Sequence, residues 1–397
     1  MAKQETAASQ LVDHDKQGMM FAVGMKRAEP GVHGFMLPLP KITSPSQVLI
    51  RVQAVGLDGT DFSMVSHDKK DIADGREEIV IGHEMMGVVE EVGSGVISLR
   101  PGDPVTMTVR RGCGLCWPCK QGKSDYCLTG QYKERGLHKL DGFLTKYTVE
   151  EEAHVVKLSP GTEKYGILVE PLSIAEKALE QVRRVQSRIP PACGHASHKW
   201  TRDHWGECKT ALVIGAGTLG CLTAALLRMN GVTTFATSRT PEDSFKVRML
   251  RKLGCDYMRV DEIGAGIEKV VEQCQRDRHL DIIIEAAGAS ELALSIIPYM
   301  SRSSVYVLTG IPRGEQLATM DTNKLLRHIV RYNQAIVGSV NSNRTHFEMA
   351  IDDIQGINNK FNNILDEFIT NRFKLSEYKQ AFSFESKDSI KIAIGID

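Results

Sequence analysis

TALVIGAGTLG, residues 210–220, decides the fold. Thr210 to Ile214 is a short apolar run of the kind buried in a parallel sheet. Gly215, Gly217 and Gly220 follow it and open a helix predicted over 219–229. In that setting the spacing suits a dinucleotide. The glycines permit a tight turn and bring backbone N–H groups close to a pyrophosphate at the helix N-terminus. Without the flanking strand and helix, the same spacing is an ordinary turn. A second strand is predicted over 232–237, and the runs 281–285, 305–309 and 335–338 alternate with helical stretches. That alternation predicts a doubly wound parallel sheet over 175–344.

The end of the second strand bears on the cofactor. NAD-specific proteins carry Asp or Glu about twenty residues past the glycines, on the ribose 2′-hydroxyl. Here the segment is ATSRTP (236–241), with no acid before Glu242. Arg239 suits a 2′-phosphate, with Ser238 as a hydrogen-bond donor, so NADP is favoured over NAD with dual use left open. The expected cofactor positions are Gly215, Gly217, Thr218, Leu219, Gly220, Ser238, Arg239 and Gly310, the last just beyond the 305–309 run.

The half before residue 174 reads differently. Short strands punctuated by Gly and Pro, such as 48–55, 86–92 and 104–109, predict a compact β-barrel-like domain. Within it lies CGLCWPC (113–119), closed by Cys127. Cys113, Cys116, Cys119 and Cys127 are spaced to enclose one tetrahedral zinc with no open position. Asp58-Gly-Thr60-Asp61, His83-Glu84 and Glu170-Pro171 are each weak signals. Together they supply carboxylates and an imidazole for an open zinc site with room for water or substrate.

The 397 residues are enough for two domains, and 42% hydrophobic with 25% charged residues is ordinary for a globular protein. Lys+Arg and Asp+Glu are both 49, so no basic excess points to nucleic acid or an anionic membrane. No apolar stretch approaches the roughly twenty residues of a membrane span, and the polar start MAKQETAASQ lacks a secretory core. A cytoplasmic protein is expected. Nine cysteines, an odd number, fit metal better than disulfides. Of the five outside the cluster, Cys193 and Cys208 share a polar loop with His195, His198 and His204, which reads as a solvated insertion, and Cys221, Cys255 and Cys274 are scattered. The tail from His346 reads as helical and is expected to return to the first domain.

Taken together, these segments resemble the zinc-containing medium-chain dehydrogenase/reductase superfamily, and within it the glucose 1-dehydrogenase branch. The matching stretches are GLDGTD (56–61), IGHEMMG (81–87), RRGCGLCWPC (110–119), DYC (125–127), EPLSIAEKAL (170–179), GAGTLG (215–220) and GSVNSNRTHFEMA (338–350). The resemblance implies a GroES-like catalytic domain, 1–174 with 345–397, and a Rossmann domain, 175–344, with the cleft between them. It implies catalytic zinc on Asp58, His83 and Glu170, with Glu84 as an alternate ligand, Asp61 orienting His83 and Thr60 carrying the substrate proton. Asn341 is placed near the nicotinamide or the sugar. The implied substrate is a small alcohol or sugar, and the implied assembly a homodimer or homotetramer. Lys146, Val109 and Ile174 replace polar groups that glucose-specific members carry, which implies an altered sugar pocket. Two rival readings are a threonine- or polyol-type dehydrogenase and a non-catalytic NADPH-binding redox sensor.

Overall fold

The computed structural model describes residues 18–68, 70–189, 205–260, 266–312, 317, 319–384 and 388–396. Cys193, His195, His198 and His204 lie outside that set.

In the first half the central strand is Gln47–Leu57. Val48, Ile50 and Val52 alternate into the core with the period of two that a half-buried strand requires. Glu84–Val92 and Tyr147–Glu151 pair with it antiparallel, and Pro104–Met107 and Val155–Lys157 extend the sheet on one side. On the other side stands Lys391–Gly395, antiparallel to Gln47–Leu57, with Ile369–Lys374 beyond it. The tail thus pairs with this sheet, and Arg344–Lys360 is its long helix. Two strands complete it, because Ile392 and Ile394 alternate into the apolar core.

The second sheet is parallel throughout. Its order is Asp256–Arg259, Thr233–Ser238, Thr210–Ile214, Leu280–Glu285, Val305–Leu308, Ala335–Gly338. Strand order reverses between Thr210–Ile214 and Leu280–Glu285. In such sheets the crevice beyond that reversal is where ligands bind. Gly215 sits at its mouth. Ala335–Gly338 is the outer strand, and the neighbouring helix Thr322–Arg331 leaves Leu326 and Val330 exposed.

Helix Gly166–Gln186 packs against the strand Glu84–Val92 of one sheet and Val305–Leu308 of the other. Helical periodicity in the sequence runs from Leu172 to Ser187, but the helix begins at Gly166 and carries Pro171 inside. An interior proline costs about 3 kcal/mol. Ile167, Leu168 and Val169 are all buried by the extra turn, and each contributes about 1.5–3 kcal/mol, so burial wins. The extra turn also places Glu170 on a rigid helix between the two sheets.

Candidate active site

Asp58 caps the helix Gly59–Ser66. Its Oδ1 accepts from the backbone N–H groups of Thr60 (2.7 Å) and Asp61 (3.0 Å), and Thr60 Oγ1 donates to its Oδ2 at 2.9 Å. Asp61 Oδ2 accepts in return from the Asp58 N–H. This reciprocal capping fixes both carboxylates. His83 follows Gly82, whose φ of +86° suits a residue without a Cβ. The imidazole stands between the two acids, with Nε2 at 3.8 Å from Asp58 Oδ2 and Nδ1 at 3.6 Å from Asp61 Oδ1. That Nδ1 and that Oδ1 are buried without a hydrogen-bond partner. Glu84 is also buried, and Lys391 Nζ donates to its Oε1 at 2.6 Å.

Burial opposes every charge here. It would raise the Asp58 carboxyl, but His83, Lys391 and the helix-cap donors together bring it below its ordinary value. Burial would lower His83, yet Asp58, Asp61 and Glu170 lift it well above the ordinary imidazole range. Glu170 is pushed up to about 8, by burial first and then by the negative charges of Glu84 and Asp58.

One donor atom each from Asp58, His83 and Glu84 lies within 4.8 Å of the others. Imidazole and carboxylate donors at that spacing fit a zinc ion. The compact set thus holds Glu84, where the resemblance expects Glu170. Glu170 stands beside it, close enough to act electrostatically on His83. Both acids crowd one imidazole, and their separation along the chain hid from sequence reasoning which of them lies nearer.

Cys113, Cys116, Cys119 and Cys127 also converge. The Sγ atoms of Cys113 and Cys119 are 3.9 Å apart, matching the edge of about 3.8 Å of a tetrahedron with zinc–sulfur bonds of about 2.3 Å. The N–H groups of Leu115 and Cys116 point at Cys113 Sγ, both at 3.4 Å. These and the Thr129 hydroxyl, the largest influence, hold that thiol down at about 5. Beneath the lobe, Arg111 Nε donates to Glu150 at 2.6 Å, and Arg135 Nη2 to the same oxygen at 2.9 Å. Burial would raise Glu150, but the two guanidinium groups hold it at about 2, below its ordinary 4.5. The pair's stabilisation is therefore fully present above pH 4.5 and lost as pH falls toward about 2. Urea midpoints measured across that window should drop steeply, and Glu150→Gln should flatten the slope; an unchanged slope would show that Glu150 does not govern it.

In the glycine loop, Gly215 has φ +120° and a Cβ on Gly220 would overlap the Gly215 carbonyl. Gly217 faces open space and caps the helix Thr218–Met229, where Leu219 lies in the first turn. The Thr218 hydroxyl is committed to the Ile390 carbonyl, so only its backbone is free for a phosphate. Ser238 is also committed: its Oγ accepts from the Thr240 N–H and pairs with the Tyr257 hydroxyl at 2.8 Å. It shapes the turn, and the exposed Arg239 stands alone as the expected phosphate partner. Gly310 packs on Gly288 and Glu285 beside the same crevice, where a side chain would collide with both.

Asn341 adopts φ +60° and donates through Nδ2 to Glu134 Oε1 at 2.5 Å. Arg110 Nε donates to the same oxygen at 2.9 Å. Sequence reasoning missed Glu134. It lies twelve residues before Lys146, and nothing in the sequence around it signalled a role.

The alcohol dehydrogenase GroES-like domain matches residues 44–160, and the glucose dehydrogenase C-terminus matches 163–396. Glucose 1-dehydrogenase of Methanocella arvoryzae is 33% identical over 88% of this chain and 92% of its own. The chain belongs to the glucose 1-dehydrogenase branch of the zinc-containing medium-chain dehydrogenases. The Thermoproteus tenax glucose 1-dehydrogenase is 32% identical over 91% of this chain and 94% of its own. The glucose dehydrogenase of Haloferax mediterranei in complex with NADP, Zn and gluconolactone superposes with a TM-score of 0.83, at 28% identity, covering 95% of this chain and 99% of that one.

Against this family frame the three departures occupy distinct places. Val109 is buried. Lys146 is half-buried beside Tyr147. Ile174 is half-buried one helical turn beyond Glu170, on the same face.

Proposed function

We propose that this enzyme oxidises a sugar or polyol hydroxyl with NADP, using one catalytic zinc and one structural zinc. The convergence of Asp58, His83 and Glu84 donors within 4.8 Å carries the reading. Asp58, His83 and Glu84 hold the catalytic ion, with Glu170 as the acid beside it, and the four cysteines hold the structural one. The bound ion supplies Lewis acidity to the substrate oxygen, and the nicotinamide accepts hydride.

The chain's own residues do the rest. Asp61, fixed by its bond to the Asp58 N–H, faces His83 Nδ1 and sets the ring so that Nε2 points toward Asp58. Thr60 Oγ1 donates to Asp58 Oδ2 and keeps its lone pairs to accept a hydrogen bond from the substrate hydroxyl, which orients that group while its proton leaves to solvent water. Glu134 and Asn341, already joined, offer an acceptor and a donor to further hydroxyls. Gly215, Gly217 and Gly220 admit the pyrophosphate, and Arg239 pairs with the 2′-phosphate.

A matrix of NADP and NAD against aldoses, polyols and threonine tests this. Aldose or polyol turnover with NADP is expected. Arg239→Ala should raise KM for NADP about tenfold and leave NAD unchanged. Turnover on threonine alone would favour the non-sugar reading, and cofactor binding without any turnover would favour the redox sensor. We also propose that Leu326, Val330 and the outer strand Ala335–Gly338 meet a second copy; a sedimentation mass of one chain removes that part.

A further inference from the structure

A buried cation joins the cysteine lobe to the cleft. Lys177 lies two turns after Glu170 on the same helix face. Its ammonium is 3% exposed, and it sits 2.8 Å from Asp125 Oδ2, itself fully buried. It also donates to the Val340 carbonyl at 2.9 Å and lies 4.2 Å from the Tyr126 ring centroid. The other Asp125 oxygen accepts from Asn343 Nδ2 at 3.1 Å. Asp125 is two residues before Cys127, in the turn Ser124–Tyr126. Val340 and Asn343 flank Asn341. One acid of the cysteine lobe thus holds both ends of the segment that carries Asn341, and Lys177 is the joint.

We propose that Lys177 is a positioning residue through which the cysteine lobe sets the Asn341 segment, so that the lobe's metal content is read out as affinity for the hydroxylic substrate. The physical basis is twofold. Asn341 holds a left-handed backbone that a residue with a Cβ adopts only when its surroundings impose it. The imposing contacts run to a lobe with few buried apolar residues, whose order depends on its metal. Loss of that metal frees Asp125, and Lys177 then loses its counter-charge in a buried place. The segment's anchor goes with it. The catalytic donors Asp58, His83, Glu84 and Glu170 include no thiol, so the two metal sites separate chemically.

This inference rests on the proposed function for its substrate, but its main readout does not. A mercurial titrated to release one zinc per chain strips the thiolate site. Amide hydrogen exchange is then followed over 339–343 and, as a control, over 210–220. Exchange in 339–343 should accelerate at least tenfold on zinc release while 210–220 stays protected. In the double variant Asp125→Asn/Lys177→Met, which removes both charges and leaves no buried charge unpaired, exchange in 339–343 should be fast already and unmoved by the mercurial. KM for the substrate should rise about tenfold with kcat within about twofold, and Lys177→Arg should recover part of it. Unchanged protection on zinc release, or a double variant that still responds to it, overturns the proposal. Absence of sugar turnover in the unmodified protein would sink the proposed function and leave the exchange result standing.

Discussion

His83→Ala should lower turnover by about a thousandfold or more, because a Lewis-acid site contributes several kcal/mol to the transition state. Three acids of the site act on His83: Asp58 at Nε2, Asp61 at Nδ1, and Glu170 through its charge. Without His83 the remaining donors are carboxylates crowded in a buried place, and zinc loses its nitrogen ligand. Bound zinc should fall from two per chain to one, since the four cysteines are untouched. The same crowding makes uptake pH-dependent. His83 is raised well above its ordinary range, and Glu170 sits at about 8 before metal arrives. His83 must shed its proton to bind, and a protonated Glu170 no longer offsets the ion's charge, so zinc affinity of the metal-free protein should weaken as pH falls through 8. A variant that keeps two zinc ions and more than a tenth of the rate would remove His83 from the site.

Lys391→Met should produce the largest loss of stability. Lys391 is fully buried and Glu84 is 1% exposed, and they meet at 2.6 Å with the Leu57 carbonyl as a further acceptor at 3.3 Å. Removing one partner of such a pair leaves a buried charge uncompensated, at about 3–5 kcal/mol. Burial already raises Glu84, and Lys391 is the chief influence holding it down. The single variant should therefore gain stability as pH falls and Glu84 takes a proton. The double variant Glu84→Gln/Lys391→Met should recover most of the loss at neutral pH. Denaturant midpoints decide this: a single variant within 1 kcal/mol of the parent, by the same measure, would mean water reaches the pair.

Local patterns were legible. The glycine spacing after an apolar run located the turn that opens the helix Thr218–Met229, and the Cys113–Cys127 spacing located four thiols that converge, because both constellations lie within a few residues of chain. Where partners lie far apart, sequence reasoning faltered. Nothing near Glu84 announces Lys391, some three hundred residues later. Ser238 looks like a phosphate donor until Tyr257, on the neighbouring strand, takes its hydroxyl. Glu134 gained meaning only when Arg110 and Asn341 closed on it.

The amino-acid order by itself determined the strand–helix alternation, the glycine turn, the four-thiol lobe and the family, all properties of short range or of matched motifs. Only the tertiary structure decided which carboxylate stands nearest His83, which hydroxyls remain free, and how the cysteine lobe reaches the Asn341 segment. The reason is that burial and charge pairing depend on neighbours in space. Strand pairing between Gln47–Leu57 and Lys391–Gly395, and the helix that begins five residues before its proline, bring those neighbours together.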